Sequence, residues 1–186
     1  HTVSVGNQEA MRAVTQYLIE LGHRRIAYLG DRNSHRPDTA RQAGYKAALA
    51  RAGIGIAPEL IVTCEGHAEA AIEAMHELLR LHTPPTAVCC ASDRMALGAM
   101  RAIRARRLRV PEDVSVTGFD DLFFAAYLVS PLTTVRQPLR QMGQMAMEIL
   151  FKLMSGEEAP QQTKVEAELI VRGSTAKPPR YEKDHE

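Results

Sequence analysis

Two polar pairs stand directly after apolar segments, and they are the residues of this sequence best placed to do chemistry. Ser92 and Asp93 end the stretch TAVCCASD, and Asp120 and Asp121 end VSVTGFDD. Both apolar stretches are typical of strands buried on both faces of a sheet. Asp93 can cap a helix that begins at Arg94, and Asp121 can be solvated. No helical pattern follows Asp120, which is therefore the stronger candidate for contact with a ligand.

Arg41 is the basic side chain that could face Asp120. We expect it in the first turn of a helix capped by Asp38, where a cation is unfavourable against the helix dipole. A guanidinium opposite a carboxylate can bracket vicinal hydroxyl groups, because each planar group forms two hydrogen bonds. The pair suggests a sugar-like or other polyhydroxylated ligand, although a surface arginine at such a position is also common.

The elements that would position these side chains alternate between strand and helix. Short apolar runs predict strands at 25–30, 59–64, 86–91 and 114–119, with one helical stretch between each pair. Strands joined by single helices run parallel through right-handed crossovers. The predicted fold class is α/β, a doubly wound parallel sheet with helices on both faces. Ligands of such sheets bind beyond the carboxyl ends of the strands, where Ser92 and Asp120 fall.

The alternation stops after Asp121. Residues 122–137 follow no single period, and Pro138 opens a long helical pattern whose apolar stripe runs to Leu153. Residues 163–175 then alternate as one further strand. An apolar stripe of that length should not stay in water, so we expect it to fold back, to swap into a neighbouring chain or to form a non-native dimer.

Composition excludes several classes of function. The 186 residues carry a net charge of +1 and only 5% aromatic side chains, so nothing indicates a general attraction to nucleic acid or a membrane surface. The arginines of RAIRARRLR (101–109) and His23 are expected to be solvated. The three cysteines lack metal-ligand spacing and indicate reduced thiols in a cytosolic protein. A dinucleotide-dependent enzyme would need G-x-G-x-x-G after the first strand, and YLGDRNSHR has one glycine, so catalysis is not expected.

Five segments together resemble the effector-binding region of the lactose-repressor family of bacterial transcription regulators. They are LGHRRIAYLG (21–30), RQAGYKAAL (41–49), PPTAVCCASDRMALGAMRAI (84–103), LRVPEDVSVTGFDD (108–121) and SPLTTVRQPLRQMG (130–143). The resemblance implies a sensor core of two Rossmann-like subdomains, similar to periplasmic sugar-binding proteins. It also implies a helix-turn-helix headpiece, which these residues lack together with most of the first subdomain, so we expect an N-terminal truncation.

The resemblance also implies a division of the chain and its partners. It assigns 1–121 to the C-terminal subdomain, 122–137 to a crossover, 138–162 to a helix of the N-terminal subdomain, 163–175 to a return strand and 176–186 to a flexible tail. It implies a cytoplasmic bacterial homodimer without cofactor or metal, which binds operator DNA only through the absent headpiece. The dimer surface would include Leu97, Phe123 and Leu128.

The ligand contacts that the resemblance implies can be placed on five residues. Arg41 matches the arginine that binds effector hydroxyls, and Asp120 matches its acidic partner at the far lip of the cleft. Ser92 stands where many relatives have asparagine, His67 falls near a position that is often aromatic, and His35 lies where relatives vary with ligand. A periplasmic sugar-binding protein of a transport system is the alternative, and the reduced cysteines and lack of a visible export signal disfavour it.

Overall fold

The computed structural model describes residues 1–179 of the protein. In chain order the strands are β1 (Thr2–Val5), β2 (Ile26–Asp31), β3 (Ile61–Cys64), β4 (Ala87–Cys90), β5 (Ser115–Thr117), β6 (Thr134–Arg136), β7 (Gln162–Val165) and β8 (Glu168–Ile170). The helices are α1 (Asn7–Glu20), α2 (His35–Arg51), α3 (Ala68–Leu78), α4 (Asp93–Ala105) and α5 (Leu139–Met154), with short 3-10 helices at Pro58–Leu60 and Phe123–Tyr127. Most of the predicted tail, residues 180–186, lies outside the described part.

A parallel sheet in the order β3-β2-β4-β5 forms the centre of the fold. All four residues of β4 are buried, because helices cover this strand on both faces and an apolar sequence can be buried there throughout. The right-handed crossover rule for parallel strands places α2 on one face of this sheet and α3 and α4 on the other. In agreement, α1 packs against α2, and α3 packs against α4. The predicted α/β class with a doubly wound parallel sheet is confirmed.

Two glycines allow the helix pairs on either face to pack closely. A Cβ atom at Gly44 of α2 would collide with the carbonyl oxygen of Gln8 in α1. A Cβ atom at Gly98 of α4 would collide with the carbonyl oxygen of Ala68 at the start of α3. In both cases the colliding atom belongs to a backbone, which cannot move aside as a flexible side chain could.

A second, smaller group of elements stands apart from the central sheet. β1 pairs in parallel with β7, with Thr2 opposite Gln162, and α5 packs against β1.

The central sheet is extended by isolated bridges from Thr117 to Thr133 and from Asp120 to Arg136, and β6 pairs with β8 in antiparallel fashion. The segment 163–175, interpreted from its alternation as one strand, therefore contributes to two different sheets.

The apolar stripe of α5 is largely uncovered in the single chain. Ile149 is buried, whereas Leu139 is 60% exposed and Met154 is 74% exposed. Within residues 1–179, α5 does not fold back so that its stripe is buried against the rest of the chain. The expectation that it folds back is therefore wrong. Covering by a second chain remains a prediction.

Candidate ligand-binding cleft

A cavity of about 490 Å³ opens at the carboxyl ends of β2 and β4 and just beyond β5. Its walls combine charged, hydroxyl and amide side chains with apolar residues as large as Leu122 and Met142, and they come from both groups of elements. The lining residues are Val3, Ser4, Val5, Asn7, Asp31, Ser34, Pro37, Arg41, Gly66, Ala91, Ser92, Arg94, Asp120, Leu122, Gln137 and Met142. Three of the five predicted ligand contacts, Arg41, Ser92 and Asp120, therefore lie around one cavity.

Arg41 is a buried cation held on several sides. It lies in the second turn of α2, because this helix begins at His35 and not at the predicted cap Asp38. Its Nε donates to Asn7 Oδ1 over 2.8 Å, Nη1 donates to the Ala91 carbonyl, and the guanidinium carbon lies 3.7 Å from the centre of the Phe119 ring. Burial lowers the pKa of Arg41, yet an arginine side chain stays protonated at neutral pH. The charge is thus fixed in place before any ligand binds.

Asp120 lies opposite Arg41 in the cavity wall. Its Oδ1 is 3.9 Å from Arg41 Nη2 and accepts a hydrogen bond from Gln137 Nε2. The backbone of Asp120 has a φ of +117°, a conformation that side-chain-bearing residues rarely adopt and that clusters at functional sites. Burial raises the pKa of Asp120, while Arg41 and Gln137 act in the opposite direction. At 3.9 Å the two charged groups are separated enough for ligand hydroxyls to compete for both.

Asp121 has a structural role, and the interpretation of this residue as solvated is wrong. Its two carboxylate oxygens accept from Arg136 Nε and from Arg172 Nη2, both over 2.7 Å. Burial alone would raise the pKa of Asp121, but the two arginine hydrogen bonds outweigh it, so the pKa is lowered. The two adjacent acids of VSVTGFDD therefore have different roles. Asp120 faces the cavity, and Asp121 joins segments near β6 and β8.

Ser92 takes the capping role that the sequence suggested for Asp93, and it also lines the cavity. Ser92, and not Asp93, is the N-cap of α4 and accepts from the Met95 amide over 3.3 Å. Asp93 is fully buried, and its carboxylate accepts from the Leu122 amide over 2.7 Å and from the Thr134 hydroxyl. These contacts fix the segment that leaves the cavity toward Phe123.

The stability of the protein should depend on pH through Asp93. Burial raises the pKa of Asp93 from 3.8 to about 6, against the hydrogen bonds from Thr134 and Leu122, so the native state keeps a proton that the unfolded state releases. Asp93 should therefore stabilise the fold most below about pH 4, and roughly 3 kcal/mol should be lost as the pH rises to 6.

Denaturant unfolding of wild type and Asp93→Asn across pH 3.5–7 measures this effect. Because all other groups titrate in both proteins, the difference in unfolding free energy isolates Asp93. We expect the variant to gain on the wild type as the pH rises from about 4 to 6. A difference that does not change with pH would contradict the prediction.

The two predicted histidine contacts do not line the cavity. His35 is exposed at the first turn of α2. His67 caps α3 and accepts a hydrogen bond from the Ala70 amide. A hydrogen bond with Glu65 raises the pKa of His67. Desolvation lowers this pKa, and Glu69 raises it further. Its neighbour Gly66 does reach the cavity. The ligand roles of His35 and His67 stay predictions.

Buried His23 is a further departure from the sequence interpretation. The sequence predicts a solvated side chain, but the His23 ring lies 2.9 Å from the Thr86 hydroxyl and 2.9 Å from the Ala176 carbonyl. Burial lowers the pKa of His23, with the bond to Ala176 opposing. This residue ties the end of α1 to the start of β4 and to the C-terminal segment, which local sequence cannot indicate.

The residues suggested for a dimer surface form an apolar area outside the cavity. Leu97 is 39% exposed and Phe123 is 86% exposed, while Leu128 is partly buried. Tyr127 and Val129 extend the same area, at 85% and 82% exposed. Four of these residues border one shallow depression next to α4: Leu97, Tyr127, Leu128 and Val129.

Neither a metal centre nor a membrane helix is found in the described part of the chain. Among residues 1–179, no three His, Cys, Asp or Glu side chains are grouped so that they could hold a metal ion. Within the same range no helix combines the length and the apolar character needed to cross a membrane.

An α/β unit joined to a second unit, with a cavity at the carboxyl ends of its strands, has the architecture of domains that bind a ligand in such a crevice. A family model described as periplasmic binding protein-like domain matches residues 15–175, and the chain belongs to this family.

Known relatives are transcriptional regulators. The chain is 39% identical over 175 residues to the HTH-type transcriptional repressor CytR of Escherichia coli K12, covering 94% of this chain and 51% of that protein. A LacI-family regulator from Mycobacterium smegmatis superposes with a TM-score of 0.89 at 34% identity, covering 96% and 66% of the two chains. A complex of the transcriptional regulator CelR with cellobiose superposes with a TM-score of 0.86 at 37% identity, covering 92% and 53%.

The chain corresponds to the effector-binding region of these proteins and spans about half the length of the curated relative. The resemblance to the lactose-repressor family is confirmed. Its relatives are regulators and not enzymes, and they do not favour the alternative of a periplasmic transport protein.

Proposed function

We propose that this chain is the effector-sensing domain of a bacterial transcriptional regulator, and that its cavity binds a neutral, polyhydroxylated molecule such as a sugar. The observation that carries the proposal is the Arg41–Asp120 pair. A donor fork and a carboxylate 3.9 Å apart at the cavity wall can each bind adjacent hydroxyl groups.

The charges around the cavity support a neutral ligand. Arg41 and Arg94 are matched by Asp31 and Asp120, so the lining side chains of the described residues carry no net charge. An anionic ligand would gain little long-range attraction from such a wall. Hydroxyl groups, which donate and accept, can satisfy both kinds of side chain.

Ligand binding would act on DNA through the arrangement of two chains. In the proposed dimer Leu97, Phe123 and Leu128 would form part of the contact between subunits, since an exposed apolar area of this kind marks an interaction site. A ligand that contacts both units would favour one relative arrangement and so change the spacing of paired DNA-binding headpieces in the cytoplasm.

A thermal-shift screen of the full-length protein tests the proposal. The panel contains neutral sugars including cellobiose, sugar phosphates, nucleosides and inorganic phosphate, and each compound is tested on wild type, Asp120→Asn and Asp113→Asn. Asp113 is the control because its carboxylate pairs with Arg109 and lies outside the cavity lining. A ligand at a hundred times its Kd should add about 2.7 kcal/mol to stability.

We expect a neutral sugar or nucleoside to raise the melting temperature of wild type and Asp113→Asn but not of Asp120→Asn. A preference for phosphate or sugar phosphates would contradict the neutral class. A shift that survives Asp120→Asn would remove the Arg41–Asp120 pair from the binding site.

A further inference from the structure

Three stretches of chain connect the central sheet with the smaller group formed by β1, β7 and α5. The first runs from β1 into α1, the second from β6 into α5, and the third from β7 into β8. The ligand-facing pair Arg41 and Asp120 belongs to the central group, yet each of the two makes a hydrogen bond to an amide side chain on one of these connections.

Asn7 makes the contact on the first connection. Asn7 is the first residue of α1, and no side-chain cap bond is formed at the start of this helix. Instead Asn7 Oδ1 accepts from Arg41 Nε over 2.8 Å, while Asn7 Nδ2 donates to the carbonyl of Val5 over 3.3 Å. One amide therefore links the last residue of β1 directly to the guanidinium that faces the cavity.

Gln137 makes the corresponding contact on the second connection. It stands between β6 and α5, and its Nε2 donates to Asp120 Oδ1. The amide of Asp120 also donates to the carbonyl of Val135 over 2.8 Å, so the acid is attached both to β6 and to the connection that follows it. Both Asn7 and Gln137 line the cavity.

The orientation of the contacts has a chemical consequence. Asn7 occupies Nε of Arg41, which leaves Nη2 as the guanidinium nitrogen directed toward Asp120. Gln137 occupies one of the lone pairs of the Asp120 carboxylate and leaves its other acceptor sites free. The two amides thus fix which donors and which acceptors face a ligand.

We propose that Asn7 and Gln137 are positioning residues that hold the Arg41–Asp120 pair in its ligand-binding geometry and tie it to the connections between the two groups of elements. A change in the angle of either connection then alters the ligand-facing atoms directly. The functional meaning of this geometry rests on the proposed function, whereas the geometry itself can be measured without any ligand.

Two NMR readouts on the ligand-free full-length protein test the positioning. Arginine labelled with ¹⁵N reports hydrogen exchange at Arg41 Nε, identified by its loss in Arg41→Lys, and ¹³C-labelled aspartate reports the titration of Asp120. The variants are Asn7→Ala, Asn7→Asp, which keeps an acceptor for Arg41, and Gln137→Ala. Matched controls are Asn33→Ala and Gln144→Ala, since both side chains are exposed and lie outside the cavity lining.

We expect Asn7→Ala to speed exchange at Arg41 Nε by about tenfold, because a hydrogen bond to a charged group is lost, and Asn7→Asp to restore slow exchange. Gln137→Ala should move the Asp120 titration to higher pH, because a donor to the carboxylate is removed. Both controls should match wild type. Unchanged exchange in Asn7→Ala together with an unchanged titration in Gln137→Ala would overturn the proposal.

A binding measurement separates this inference from the proposed function. The probe is the sugar or nucleoside of the screening panel that stabilises wild type most, and its Kd should rise about tenfold in Asn7→Ala and in Gln137→Ala. Equal Kd values in wild type and both variants would overturn the positioning role. If wild type binds no compound of the panel, the proposed ligand class fails, and the two NMR readouts still decide whether the amides hold the pair.

Discussion

Replacing Arg41 with methionine is expected to destabilise the protein by roughly 3 kcal/mol and to weaken binding of the proposed ligand by about a hundredfold or more. Methionine keeps much of the apolar bulk over Phe119 but leaves the Ala91 carbonyl, Asn7 Oδ1 and the Asp120 carboxylate without their cation. Removing one member of a largely buried ion pair is costly because the other charge stays behind. Urea unfolding gives the first quantity and ligand titration the second.

The matched control is Arg94→Met, since Arg94 also lines the cavity but is exposed at the start of α4. Its effect on stability should stay within about 0.5 kcal/mol. The affinity of Arg41→Met should fall by about a hundredfold or more, because two charge-assisted hydrogen bonds to the ligand are lost. Equal affinity losses in the two variants would show that overall charge, and not the held guanidinium, determines binding.

The second large effect is expected from Gly44→Ala, a change that adds one methyl group. The new Cβ atom would collide with backbone atoms of Gln8 and Arg12, so α1 and α2 could keep their present separation only with strain. We expect a loss of about 3 kcal/mol in the free energy of unfolding, near the upper end for an overpacked core.

Gly143→Ala is the control because it makes the same chemical change in another helix. No atom lies within 4 Å of a Cβ built at Gly143 in α5, so only the gain in helix propensity of about 0.5–1 kcal/mol remains. The two substitutions should thus shift the denaturation midpoint in opposite directions. Stabilisation by both would mean that the α1–α2 pair can separate without cost.

The central sheet could be predicted because its signals are local. Apolar runs such as AVCC of β4 and the single helices between them determine a parallel α/β sheet through periodicity and crossover geometry. The division of residues 163–175 between two different sheets could not be predicted. Alternation gives the same pattern for one strand as for two short strands whose partners, β1 and β6, lie far away in sequence.

The candidate site was predictable only in part, for a related reason. Asp120 stands out because it follows a buried strand without a helix to cap. Asn7 and Gln137 gave no such signal: an asparagine before a helical pattern suggests a cap, and a glutamine before proline suggests nothing specific. Their roles depend on where the connections between the two groups cross, which is a property of the tertiary fold.

The pairing of β1 with β7 bears on the order in which the protein can assemble during translation. Thr2 pairs with Gln162, so β1 cannot gain this partner until Gln162 has been synthesised. At typical rates of about 5–20 residues per second, that wait is on the order of 10–30 seconds. The central sheet needs only residues up to Thr117 and can form earlier. Until then the edge of β1 that β7 later covers lies open beside a central sheet that can already be folded, and an open strand edge can be captured by a chaperone or can pair with a neighbouring nascent chain.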